Sequence, residues 1–365
     1  MKKVVRVTAI AGVAALALAA CGQAPDSGNG NSSGNGSGTE TKAASNFQAC
    51  MVTDAGGVDD RSFNASAWKG LQDAEKEIGI KAKYVESNSE TDYGPNVQQM
   101  VGDDCGIIVT VGFLLGDATK EAAEANANEH FAIVDFQYDQ PIKNIRPLIF
   151  DTAQAAFLAG YVAADSTKTG TVATFGGINI PTVSIFMDGF ADGVDYYNKA
   201  KGKSVKVLGW DKAKQNGSFT GDFDDQNKGK NLTNTFIQQG ADIVMPVAGP
   251  VGLGAAAAAQ EAGDVKIIGV DSDWYESAPQ YKAIVLTSVV KEIDNAVLDV
   301  AKAASEDKFT ADPYVGTLEN EGVSIAPFHD FESKVSPDLQ KEVDDLKAKI
   351  VSGEIKVESP SSPKS

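Results

Sequence analysis

Val52-Thr53-Asp54-Ala55-Gly56-Gly57-Val58-Asp59-Asp60-Arg61-Ser62-Phe63-Asn64 joins two segments of different periodicity. The residues before it, 49–53, form a short apolar run suited to a buried strand. The residues after it, 64–78, place Trp68 and Leu71 on one helical face. Gly56-Gly57 lets the chain turn with positive φ, and either Ser62 or Asp60 can cap the helix. A capped strand-to-helix turn accounts for the glycines and one acid. It leaves two of the three aspartates and the phenylalanine at the helix start unexplained. An aromatic plane beside carboxylate acceptors suits a flat heterocycle bearing N–H groups.

The same alternation continues along the chain. Strand-like runs fall at 82–86, 106–111, 131–135, 145–150, 170–175, 204–209, 243–247, 266–270 and 283–288. Helical patterns fall at 116–128, 153–166, 180–198, 228–239, 254–262 and 292–305. β and α segments in turn imply parallel sheets covered by helices on both faces. The expected class is α/β, with two doubly wound sheets of about five or six strands. From residue 47 onward 319 residues remain, too many for one core and suited to two lobes. Ligands of such sheets sit beyond the carboxyl ends of the strands, and the unusual polar clusters of this chain lie there.

The first 46 residues read differently. Lys2, Lys3 and Arg6 precede an apolar run, 7–20, that ends at Leu18-Ala19-Ala20-Cys21. That order describes a secretory signal peptide over 1–20. Its roughly 14 residues would cover about 21 Å of a hydrocarbon core near 30 Å. The tetrad resembles the bacterial lipobox, which implies lipidation of Cys21; the alternative is an ordinary signal peptide with an incidental cysteine. Residues 21–46 are a flexible Gly/Ser/Asn tether. The expected location is the extracytoplasmic face of the cell membrane, held by the lipid.

Composition narrows the function. Fifty acids against 32 bases give a net charge of −18, which argues against nucleic-acid binding. Cys50 and Cys105 remain once Cys21 is set aside, and a disulfide between them is expected if their strands are neighbours; two inert thiols are the alternative. His130 and His329 have no paired spacing, so no metal site is expected. No nucleophile elbow, P-loop or dinucleotide fingerprint occurs; Gly112-Phe113-Leu114-Leu115-Gly116 is a plain turn. Carboxylates could serve a calcium-dependent nucleoside hydrolase, but their scatter over many strand ends fits a cleft. A binding protein without a cofactor is expected, not an enzyme.

Thr53-Asp54-Ala55-Gly56-Gly57-Val58-Asp59-Asp60-Arg61-Ser62-Phe63-Asn64 also resembles the signature of the basic-membrane-protein family, lipoproteins of the purine-nucleoside receptor type. Ile133-Val134-Asp135, Phe175-Gly176-Gly177, Phe186-Met187-Asp188-Gly189-Phe190 and Gly217-Ser218-Phe219 extend the likeness. So do Ala248-Gly249-Pro250-Val251-Gly252, Ile268-Gly269-Val270-Asp271-Ser272-Asp273 and Thr287-Ser288-Val289-Val290-Lys291.

The resemblance implies a periplasmic-binding-protein-like fold of type I, whose two lobes join at a three-stranded hinge. The lobes would comprise 47–150 plus about 285–312, and 151–284 plus about 313–365. It implies a monomer that delivers a nucleoside to an ABC permease and its ATPase. Asp54 and Asp135 would accept from the base, Phe63 would stack on it, and Asn64 and Asp60 would lie beside it. Asp271 and Lys291 would bind the ribose, near the backbone of Gly249 and Gly252. Where the family often carries a second aromatic, this chain reads Met245-Pro246-Val247. Met245 through its sulfur, or Trp274, Phe175 or Phe219, would supply the other face. Independently of the resemblance, Asp135 and Asp271 each end a strand, and a carboxylate can accept two vicinal hydroxyls. A sugar-binding protein, or a surface sensor or adhesin of the same fold, is the alternative.

Overall fold

The computed structural model describes residues 46–363. The signal peptide expected at 1–20, the lipidation expected at Cys21 and nearly all of the tether expected at 21–46 lie outside them. Strands β1 (Gln48–Thr53), β2 (Lys81–Val85), β3 (Ile107–Val111), β4 (Phe131–Val134) and β5 (Ile145–Phe150) alternate with α1 (Phe63–Ile78), α2 (Glu90–Gly102) and α3 (Gly116–Ala125). Parallel strands covered on both faces read as unbroken apolar runs, and all five residues of β3 are buried.

The chain then builds a second unit of the same plan. It contains α4 (Thr152–Ser166), β6 (Thr171–Gly176), α5 (Pro181–Lys201), β7 (Lys206–Leu208) and the hairpin β8 (Trp210–Asp211) and β9 (Asn216–Gly217). These are followed by α6 (Gln226–Gln238), β10 (Ile243–Val247), α7 (Val251–Ala262), β11 (Lys266–Asp271), α8 (Trp274–Ser277) and β12 (Val285–Lys291). Last come α9 (Ile293–Ser305), β13 (Tyr314–Gly316), β14 (Val323–Ile325) and α10 (Leu339–Val351).

The two sheets share one topology. The first runs β13-β5-β4-β3-β1-β2 and the second β14-β12-β11-β10-β6-β7. Each is a doubly wound sheet that reverses its order beside its first strand. Within these two sheets all pairings are parallel except β12 with β14.

Two lobe boundaries differ from those expected. β12 was placed with the first lobe, yet it pairs with β11 in the second sheet. β11 and β14 flank this strand and take up its edges, and its Val285, Leu286 and Val289 are buried. The return to the first lobe begins with α9, which lies on α1 so closely that a Cβ at Gly70 would be 2.4 Å from Asp294 O. β13, expected in the second lobe, then pairs with β5 in the first sheet. The chain therefore crosses between lobes three times, at 150–152, 291–293 and 316–323. The crossings are stitched by Asp151 N–H donating to Gly316 O (2.8 Å) and Glu292 N–H to Gly322 O (3.0 Å). Beyond α10 the chain returns to this hinge, where Ser359 Oγ donates to the buried Asp188 (2.6 Å) and Ser362 Oγ to Asp151 (3.1 Å).

Cys50 and Cys105 form a disulfide, with their Cα atoms 5.8 Å apart. β1 and β3 are neighbours in register, as the pairing requires. The bridge closes a loop of 55 residues, so replacing both cysteines by serine should lower stability by about 2–4 kcal/mol. Calorimetric melting of the oxidised protein and the double variant measures this difference.

Candidate functional site

The carboxyl ends of both sheets face each other across a cavity. Asp54 follows β1, and its backbone N–H donates to Val111 O (3.1 Å). A Cβ at Gly112 would lie 2.3 Å from Asp54 Oδ2, so a glycine is needed at that turn. Asp54 Oδ1 accepts from Asn64 Nδ2 (2.8 Å). Asn64 Oδ1 is buried and makes no hydrogen bond with the described residues. Burial pushes the Asp54 carboxyl well above the usual range; the Asn64 bond opposes this, and the charges of Asp60 and Asp135 add to it.

Asp60 organises the turn. Its carboxylate accepts from the backbone N–H groups of Ser62 (2.9 Å), Asn64 (2.7 Å) and Ala65 (2.9 Å). Burial nonetheless outweighs these three donors and raises its pKa to about 6. Of the two caps expected for α1, Asp60 acts and Ser62 does not.

Asp135 and Asp271 occupy equivalent places, at the carboxyl end of the fourth strand of each lobe. Both hold left-handed backbone with φ of 66°, a conformation that short polar side chains tolerate and that gathers at functional sites. Lys291, the last residue of β12, joins them. Its Nζ lies 2.5 Å from Asp135 Oδ2 and 3.7 Å from Asp271 Oδ1. The lysine is only 2% exposed, and its ammonium sits 4.8 Å from the centre of the Phe63 ring. Burial raises both aspartates above the usual carboxylate range, and Lys291 partly offsets it. Lys291, expected beside the ribose, is thus the buried counter-ion of two carboxylates.

Eight of the ten expected ligand residues line this cavity: Asp54, Asp60, Phe63, Asn64, Asp135, Gly249, Asp271 and Lys291. Asp135, expected with Asp54 to accept from the base, pairs with Lys291, the residue expected at the ribose. Met245 and Gly252 do not line the cavity. Met245 lies two residues inside the end of β10, wholly buried in the core. Gly252 lies in the first turn of α7 against the Trp274 indole, which a Cβ would approach to 2.7 Å. Trp274 itself is buried and donates to Val270 O (3.0 Å). Phe175 packs toward Phe236, and Phe219 covers Gly176. None of these three reaches the cavity. Its further aromatic walls are Phe113, Phe186 and Phe223. Phe223 belongs to the loop Thr220-Gly221-Asp222-Phe223-Asp224-Asp225, and the signal for it was one aromatic residue among polar ones, with no periodicity to place it.

A family model for PnrA-like ABC transporter substrate-binding proteins matches residues 47–361. The chain is 33% identical to the ABC transporter nucleoside-binding protein BmpA of Lactococcus lactis, over 98% of this chain and 99% of the relative. It is 31% identical to basic membrane protein A of Borreliella burgdorferi, over 83% and 86%. Among solved structures, a solute-binding protein of an ABC transporter system from Aeropyrum pernix superposes with a TM-score of 0.77 at 26% identity, covering 86% of this chain and 94% of the other.

Asp60 gives the cleft a pH signature. Its pKa is 3.8 in the ordinary state and about 6 when folded. The stability it contributes is complete below pH 3.8 and is lost as pH rises through 6. Denaturant midpoints measured from pH 4 to 7 should therefore fall less steeply in Asp60→Asn than in the parent; an unchanged slope would rule this out.

Proposed function

We propose a cargo for this chain, which belongs to the family of PnrA-like ABC transporter substrate-binding proteins: it captures a nucleoside, a purine nucleoside by preference, between its lobes. The family is one of binding proteins, not enzymes, and membership implies a small-molecule ligand and a permease partner. The observation that carries the reading is the buried set Asp135, Asp271 and Lys291 beside the ring of Phe63. An ammonium and carboxylates side by side suit the hydroxyls of a pentose, which both donate and accept. Phe63 from one lobe and Phe223 from the other supply faces for a flat base. Asp54 and the unpartnered Asn64 Oδ1 await its N–H donors. The Lactococcus relative, a nucleoside-binding protein, supports this cargo.

On this reading the protein works as a monomeric hinged trap. The open lobes expose the strand ends, the ligand bridges them, and closure removes it from water. Lipid at Cys21 holds it on the extracytoplasmic face, beside the permease and its ATPase. In phase partitioning the parent should enter the detergent phase and Cys21→Ser the aqueous one.

Titration calorimetry tests the cargo. Asp271→Ala removes hydrogen bonds worth about 1.5–3 kcal/mol each. Nucleoside affinity should fall by about 100-fold or more, and free-base affinity far less. Phe63→Ala should weaken both by a similar, smaller factor. Equal losses for nucleoside and base in Asp271→Ala, or capture of free pentose alone, would overturn the assignment.

A further inference from the structure

Ser62 occupies the N-cap position of α1, where a hydroxyl ordinarily accepts from the first turn. It makes no such bond, because Asp60 takes those donors. The freed hydroxyl points across the cleft instead. Its Oγ lies 3.0 Å from Val270 O and 3.1 Å from Asp271 Oδ2, both on the opposite lobe. Ser62 is buried, yet it does not line the cavity.

A second hydroxyl crosses the other way. Ser272 Oγ donates to Arg61 O at 3.0 Å, and Arg61 holds left-handed backbone, φ 58°. At the rim the Arg61 guanidinium reaches Gln280 Oε1 at 3.3 Å. The turn 60–62 therefore grips one continuous stretch of the second lobe, 270–280. That stretch contains Asp271, the carboxylate that also faces Lys291.

We infer that the turn Asp60–Arg61–Ser62 is a closure clasp, and that Ser62 is a positioning residue that fixes Asp271 and sets how long a captured ligand is held. The inference rests on the hinged capture proposed above. Neither crossing bond exists while the lobes are apart. Both form on closure, with the cleft filled or empty, so they act on ligand dissociation, leave association nearly unchanged, and without ligand shift the balance toward the closed form. The exchange of capping roles is what frees the hydroxyl: with a serine alone at the cap, the helix and the far lobe would compete for one side chain.

The test uses the full-length chain with spin labels at Lys76→Cys on the first lobe and Lys199→Cys on the second, both well exposed. Ser62→Ala and Ser272→Ala should each raise the inosine dissociation rate about fivefold, the effect of one neutral hydrogen bond, with association within about twofold. Both should lengthen the inter-lobe distance in the absence of inosine. A role confined to stabilising α1 would lower the melting temperature of Ser62→Ala and move neither rate nor distance; that result overturns the clasp. Ser272, only partly buried, tests it even if Ser62→Ala folds poorly. If the parent protein binds no nucleoside, the cargo reading falls, while the label distances still decide the clasp: unchanged distances in both variants refute it.

Discussion

One buried ammonium sets the terms for the cleft. Lys291 has almost no contact with water, and an isolated charge cannot remain there. It is carried by the second lobe and satisfied by a carboxylate of the first, Asp135, at 2.5 Å. On the proposed hinged capture, closing the lobes and neutralising the lysine are therefore one event. Leaving either partner alone in a dry cleft costs about 3–5 kcal/mol, so an open form must admit water to all of them. The same requirement explains why β12 belongs to the second sheet. Its end has to deliver Lys291 opposite Asp135, and the chain leaves for the first lobe only afterwards.

The lobes solve their half of this problem in the same way. In each, the fourth strand ends in an aspartate with left-handed backbone. That conformation turns the side chain out of the strand path and into the gap where strand order reverses. Burial raises both aspartates, and one lysine offsets them together. A duplicated sheet with a single shared counter-ion gives a site that neither lobe possesses alone.

Much of this was legible in the sequence, because buried parallel strands are apolar without interruption and the acids follow them directly. All ten expected strands exist, and so do the seven expected helices. α2 escaped notice because Pro95 lies inside it and Gly94 beside it, which contradicts helical propensity; a capping box at Ser89 and Asp92 and packing of Tyr93, Val97 and Met100 override that. β13 and β14 are three residues each and depend on neighbours distant in sequence. The site errors have a similar origin. Met245 stands where the resemblance places a second ring face, but it lies inside β10 rather than beyond its end, and depth along a strand decides whether a side chain reaches the gap or the core. Phe223 sits in a loop, where no period reveals direction.

The charge balance of the cleft constrains its ligand further. Four carboxyl groups, Asp54, Asp60, Asp135 and Asp271, line the cavity against one ammonium. Asp60 is occupied by backbone donors, and Lys291 is occupied by carboxylates. What remains open, beyond the hydrogen bonds that Lys291 can still donate, is mostly acceptor capacity: Asn64 Oδ1, the second oxygen of Asp54 and the carboxylate of Asp271. A ligand that brings hydroxyl and N–H donors meets partners at each of these. A phosphate brings only acceptors and negative charge, and in a low-dielectric cleft that mismatch is magnified rather than screened. On the proposed reading these walls favour a neutral, donor-rich molecule with a flat face, which is the chemical description of an unphosphorylated nucleoside.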